Sequence, residues 1–260
     1  MLRALVGALA GGAIAGVAHR SGQLSSSGQW AAFACGILAT AAGYRWAAML
    51  VVFFSASTIL TRWGTADKMR RTEAIVPNRG ERTARQVFAN GGVFVLLATF
   101  GTAVPSRRVQ AGALGALAAA CADTWATEIG TYLGGEPRSI ASGLPLPRGM
   151  SGGVTLTGSL AAIAGATFIA LGAPWTLGHP DARAVVAVLG GGALGAFGDS
   201  LLGATVQSRR WCAMCQEWTE RRVHPCGYRA NHARGVLWLD NDAVNFAATL
   251  IGALSAMSLA

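Results

Sequence analysis

Apolar stretches close to bilayer length recur along this chain of 260 residues. They lie at about 2–18, 29–44, 46–63, 86–104, 109–133, 151–173, 183–207 and 242–259, near the roughly 20 residues that a helix needs to cross a hydrocarbon core. In lipid, every backbone N–H and C=O must be satisfied internally, so such stretches fold as helices. Composition agrees. Only 13% of the residues are charged, against about 25% in a soluble domain, and mean hydropathy is +0.42. Abundant Gly and Ala allow helices to approach closely. The expected fold is all-α: a polytopic integral membrane protein of about eight transmembrane helices, with 1–260 forming a single membrane domain. The first twenty residues also have the pattern of a signal peptide. An apolar segment follows them instead of a polar domain, which favours a retained first helix.

The net charge of +9 is almost all arginine; Lys68 is the only lysine. In a membrane protein a basic balance points first to cytoplasmic loops, so no nucleic acid partner is expected. The basic residues concentrate in 64–85 and 208–240, and a Gly/Pro/Ser-rich segment lies at 134–150. Alternating spans put all three on one side, and the positive-inside rule makes that side cytoplasmic. Arg107 and Arg108, in the short connection 105–108, run mildly against the rule. Trp30, Trp46, Trp63, Trp175, Trp211 and Trp238 fall near span ends, as an aromatic belt predicts.

Against this background, "AAACADTWATEIG" (118–130) places Asp123 and Glu128 in an apolar run. Asp199 interrupts the seventh span, and "LDNDAVNFA" opens the eighth with Asp240, Asn241, Asp242 and Asn245. The topology brings these groups to one depth near the cytoplasmic face. A carboxylate in the bilayer core costs at least ~2.5–3.5 kcal/mol. Either they sit hydrated or paired at the interface, or they form a metal site or an ion path. Hard oxygen donors of this kind suit Mg²⁺ bridged to substrate phosphates. Asp123 and Glu128 are five residues apart, so they serve different partners unless the helix is irregular. "GALGA" at 112–116 returns at 192–196, each time upstream of an Asp; in an Ala/Gly-rich chain this is a weak sign of duplication.

Two further segments suit anions. "PRGMSGGVTLTGS" (147–159) is expected to open a helix at Ser151, Gly152 and Gly153 beside Arg138 and Arg148, offering free N–H groups to phosphate. "PNRGERTARQVFANGG" (77–92) carries Arg79, Arg82 and Arg85, which either clamp phosphate or enforce topology, and Asn90 inside an apolar span. Finally, Cys212 and Cys215 have CxxC spacing, with His224 and Cys226 close behind. They are either the ligands of a structural Zn²⁺ or reduced thiols in a cytosolic loop.

"ADTWATEIG", "GMSGGVTLTG", "GDSLLGATVQ", "LDNDAVN" and "RQVFANGG" resemble, as an ordered set across about 64–248, the integral membrane family of plant phytyl-phosphate kinase and transmembrane protein 19. Its bacterial members are grouped as a domain of unknown function. The resemblance implies phosphoryl transfer from a nucleotide, with CTP as co-substrate, to an isoprenoid monophosphate. It implies Asp123, Glu128, Asp199 and Asp242 as Mg²⁺ ligands, with Asn241 and Asn245 beside them. Arg79, Arg82, Arg85, Asn90 and the Ser151–Gly153 turn would serve the phosphates. The partners expected are thus a prenyl phosphate lipid, a nucleotide and membrane lipid. Plant members begin with a plastid targeting sequence; none is expected here, and the arginine-rich composition fits a bacterial cytoplasmic membrane. An ion-coupled transporter using the same carboxylates is the alternative.

Overall fold

The computed structural model describes residues 2–77, 80–179 and 181–260. Its helices are α1 (Leu2–Arg20), α2 (Ser26–Ala42), α3 (Tyr44–Arg62), α4 (Thr65–Thr72), α5 (Ala84–Ala103), α6 (Arg107–Leu133), α7 (Leu156–Leu171), α8 (Ala173–Leu177), α9 (Ala182–Thr205) and α10 (Asn241–Leu259). Small polar residues set where several of them begin. Ser25, Ser106, Thr155, Asp181 and Asp240 each accept a backbone N–H three residues on, as N-caps do. Among the described residues, five helices are long and apolar enough to cross a membrane: α3, α5, α7 with α8, α9 and α10.

The axis of the bundle is α6. Every residue from Ala111 to Ala122 is buried, and the helix packs against α3, α5, α7, α9 and α10. A helix apolar all round is one wrapped by protein, which is how its carboxylates avoid lipid. Close approach depends on glycine. A Cβ on Gly115 would stand 2.6 Å from the Gly252 carbonyl, and one on Gly195 would stand 2.4 Å from Ala119 Cβ. One "GALGA" copy lies on α6 and the other on α9, and both pinch α10 at Gly252.

The polar segments meet at one end of this bundle. Thr219 Oγ1 donates to the Ala74 carbonyl at 2.6 Å, and Arg221 Nη1 donates to the Val76 carbonyl at 2.9 Å. Ser151 N donates to Glu220 Oε1 at 2.8 Å. The same segments correct the all-α expectation. β1 (Arg138–Ser139) pairs antiparallel with β2 (Gly153–Val154). β3 (Arg209–Cys212) lies between β4 (Glu217–Thr219) and β5 (Asn231–Arg234). Outside the apolar stretches, the chain is free to satisfy its backbone by short ladders, and the fold is mostly helical. Trp46 also departs from the belt: it is buried against Phe94, with ring centroids 6.0 Å apart. Trp211 packs instead on Trp218 in the β-sheet.

Gly195→Leu is therefore expected to destabilise the protein by about 1–3 kcal/mol or more through overpacking. Gly16→Ala, whose Cβ meets nothing within 4 Å, should be neutral or gain up to ~1 kcal/mol of helix propensity. Thermal unfolding in detergent compares them; equal melting temperatures would contradict the packing account.

Candidate functional site

A cavity of about 1020 Å³ lies where the polar segments cap the bundle. Asp123 enters it from α6, Asp199 from α9, and Asn241, Asp242 and Asn245 from the first turn and a half of α10. The close packing of α6, α9 and α10 thus aims oxygen donors from separate helices into one space. With its amide turned so that the nitrogen faces the surrounding acceptors, Asn245 donates to Asp199 Oδ2 and to the Asn241 carbonyl, both at 3.1 Å. The cavity also holds Arg82, Arg85, Arg148, Arg210, Arg221 and Arg222.

The carboxylates differ in their partners. Asp242 has Arg85 Nε at 3.8 Å, and Asp240, the N-cap of α10, has Arg85 Nη2 at 3.0 Å. Glu128 is paired with Lys68, whose Nζ lies 2.5 Å from Oε2, and it accepts from Thr61 Oγ1 at 3.1 Å. Lys68 is 1% exposed and spends its remaining protons on the Leu60 and Thr61 carbonyls, at 2.7 and 2.9 Å. Since α6 runs unbroken, Asp123 and Glu128 serve different partners: Glu128 has a cation of the chain itself. Asp123 and Asp199 have no cationic partner among the described residues. These two carboxylates, with the Asn245 amide bonded to Asp199, form an oxygen donor set that fits a hard divalent cation.

The Ser151–Gly153 segment departs from expectation. It is a turn joined to β2, and α7 begins only at Leu156, capped by Thr155. Gly152 has φ +81°, and a Cβ there would stand 2.3 Å from Ala204 N. The turn still lines the cavity, but the Ser151 N–H is taken by Glu220 rather than left free. Gln207 donates to Ser151 Oγ at 2.8 Å and to Glu220 Oε2 at 3.1 Å, and Arg209 donates to the Ser151 carbonyl at 2.8 Å. Burial pushes the Glu220 carboxyl up; the Ser151 N–H and Arg209 pull against it. Asn90 is not in this cavity. It donates to the Gln86 carbonyl at 3.0 Å and lines a neighbouring chamber. Arg79 lies outside the described residues, and Arg138 lies outside the cavity lining, bonded to the Gly143 carbonyl.

Sequence reasoning missed Lys68 and Glu220 as parts of the site. The lone lysine of an arginine-rich chain, and an acid inside a basic loop, were the available signals.

A second cluster lies in the β3–β5 segment. The ligand atoms of Cys212, Cys215, His224 and Cys226 all fall within 4.8 Å of one another, and this Cys3His group can hold a metal ion. Cys212 Sγ and Cys226 Sγ are 3.7 Å apart, close to the ~3.8 Å edge of a tetrahedron with Zn–S bonds of about 2.3 Å. His224 turns Nδ1 to the sulfurs, at 3.2 Å from Cys226 and 3.5 Å from Cys215. Its buried Nε2 has Glu217 Oε2 at 3.6 Å, the outer carboxylate common behind metal-binding histidines. The Tyr228 N–H, then the His224 ring, lower the Cys226 thiol to about 6, while the bond to Cys226 pushes the Cys215 thiol up to about 12; the case for a metal rests on the geometry of the four ligand atoms.

Comparison with known proteins accords with this architecture. The family model "Integral membrane protein DUF92" matches residues 9–253. Protein PGR of Arabidopsis thaliana is 32% identical over 257 residues, covering 90% of this chain and 88% of the plant protein. Uncharacterized membrane protein MJ0933 of Methanocaldococcus jannaschii is 29% identical over 170 residues, 64% of this chain and 67% of the archaeal protein. No solved structure matches the chain. The chain, with its buried central helix and its carboxylate-lined cavity, belongs to the DUF92 integral membrane family.

Proposed function

We propose that the protein is a membrane prenyl-phosphate kinase, transferring a phosphoryl group from CTP or another nucleotide to an isoprenoid monophosphate. The observation that carries this reading is the shared cavity. Carboxylates from α6, α9 and α10 face arginines from three polar segments across about 1020 Å³, room enough for a ligand of nucleotide size. Phosphoryl transfer asks a protein for positioning and charge neutralisation above all. Arg82, Arg85 and Arg210 stand where they can hold phosphate oxygens. Asp123, Asp199 and Asp242, with Asn245, would hold Mg²⁺, which when bound supplies positive charge to the transferring group. Glu128 fixes Lys68, and with it the polar end of α3, against α6. The acceptor phosphate is already a nucleophile, so no general base is required. On this reading eight helices, α1–α3, α5–α7, α9 and α10, cross a bacterial cytoplasmic membrane and the cavity faces the cytoplasm, as the arginine-rich loops favour.

The Cys3His cluster is read as a structural zinc site. It clasps the strand pair to the 224–226 loop, and so holds Glu220 on the Ser151 turn. Protein purified without chelator should carry about one zinc per chain, and Cys212→Ser should lose it. Metal-free wild-type protein with an unchanged fold would overturn the assignment.

The central test is turnover of radiolabelled CTP with a panel of prenyl monophosphates. Asp123→Asn should insert and fold, because a neutral amide costs less in the membrane than a carboxylate, yet lose activity by several orders of magnitude. Asp199→Asn should behave alike, and the double variant should be little worse, since both act through one centre. Well-folded Asp123→Asn protein turning over at the wild-type rate would sink the assignment. Dependence on an ion gradient with no nucleotide requirement would favour the transporter.

A further inference from the structure

Beside the polar cavity lies a separate apolar chamber of about 150 Å³, between α1, α2, α3 and α5. At ~10–15 Å³ per water-sized group it holds roughly 10–15 such groups. Its walls are Ala15, Cys35, Gly36, Leu50 and Phe53. The two spaces share Arg82, Gln86 and Thr124 in their linings, so the chamber abuts the cavity at a guanidinium. The guanidinium donates from Nη2 to Thr61 Oγ1 at 3.4 Å. The backbone of Arg82 is stitched to the α1–α2 turn through Gln23 and Ser25, at 2.9 and 3.1 Å, and its Cζ lies 5.4 Å from the Phe54 ring centroid. The chamber also has an outward side. Ile14 on α1 and Val51 on α3 line it, and they are 43% and 39% exposed.

An apolar slot with a cation at its inner end and exposed aliphatic side chains at its outer rim is complementary to one kind of molecule: a slender single chain ending in an anion. We propose that this chamber binds the first isoprene units of a phosphate-headed lipid, with the head at Arg82 and the distal chain leaving between Ile14 and Val51 into the bilayer. This rests on the reading of the cavity as the place where the acceptor phosphate reacts. Transfer of a chain from lipid to protein has little hydrophobic drive, so the chamber selects by shape: a linear or prenyl chain enters, and a two-chain lipid does not. Asn90, which the polar cavity does not use, lines the chamber near its polar end, held to Gln86.

A C20 prenyl monophosphate carrying a diazirine on its second isoprene unit tests this. Photolysis of the detergent-solubilised protein, followed by peptide mapping, should place the label on residues 26–62, at Cys35, Leu50 or Phe53. Cys35→Phe fills the chamber and should cut that labelling at least tenfold, while Val186→Phe, on the exposed face of α9, should leave it unchanged. Phe53→Ala enlarges the chamber and serves if Cys35→Phe fails to fold. It should keep the label on residues 26–62 and admit a probe with an isopropyl branch on the first unit, which the wild type excludes. Label confined to α7 or α9, or a Cys35→Phe protein labelled like the wild type, would overturn the chamber assignment. Labelling at Cys35 in a protein that transfers nothing from CTP would keep the chamber and sink the kinase reading; turnover without labelling there would do the reverse.

Discussion

The contact of α6, α9 and α10 through glycine is the constraint on which the rest depends. At Gly115, Gly191, Gly195 and Gly252 a single added carbon would lie under 3.0 Å from a neighbouring helix. In a membrane, where lipid tails compete on equal terms with apolar side chains, such close packing is what holds helices together. It also bears on the spacing of Asp123, Asp199 and Asn245, which lie one to about two helical turns from Gly115, Gly195 and Gly252 on the same three helices.

The electrostatics follow from that geometry. The charges lie at one end of the bundle, in a space walled by protein and capped by arginine-bearing loops, so they escape the cost of facing lipid. Within that space the chain neutralises some carboxylates itself and leaves others. Lys68 answers Glu128, and Arg85 answers Asp240 and Asp242. Asp123 and Asp199 find no such answer among the described residues, which is why a divalent cation and a polyanionic ligand are the species proposed there. The β3–β5 segment is part of the same device, because Glu220 and Arg209 reach from it to the Ser151 turn.

Much of this was legible in the sequence because its cause is local. The apolar stretches had to become helices, and the long helices stand at the positions read from hydropathy. Asp123, Asp199 and Asp242, which alternation of spans put at one depth, line one cavity. What was not legible depended on partners distant in sequence. Lys68 and Glu128 are 60 residues apart and meet only because α4 folds back onto α6. Glu220 occupies the Ser151 N–H only because the loop after Gln207 forms a sheet. The glycines at 152 and 153 read as a helix opening, since a Gly-rich turn and a helix N-terminus look alike until β1 is seen to pair with β2. Asn90 could be placed in a span but not assigned to one of two adjoining spaces.

The central claim is that the α6–α9–α10 carboxylates hold a divalent cation against nucleotide phosphates. Electron paramagnetic resonance of Mn²⁺, added in place of Mg²⁺ with a non-hydrolysable CTP analogue, tests it most directly. A bound Mn²⁺ signal with ³¹P hyperfine coupling, lost in both Asp123→Asn and Asp199→Asn but kept in Cys212→Ser, is the result predicted. Mn²⁺ that stays in solution, or binds without phosphorus coupling and is unmoved by either substitution, would contradict the account.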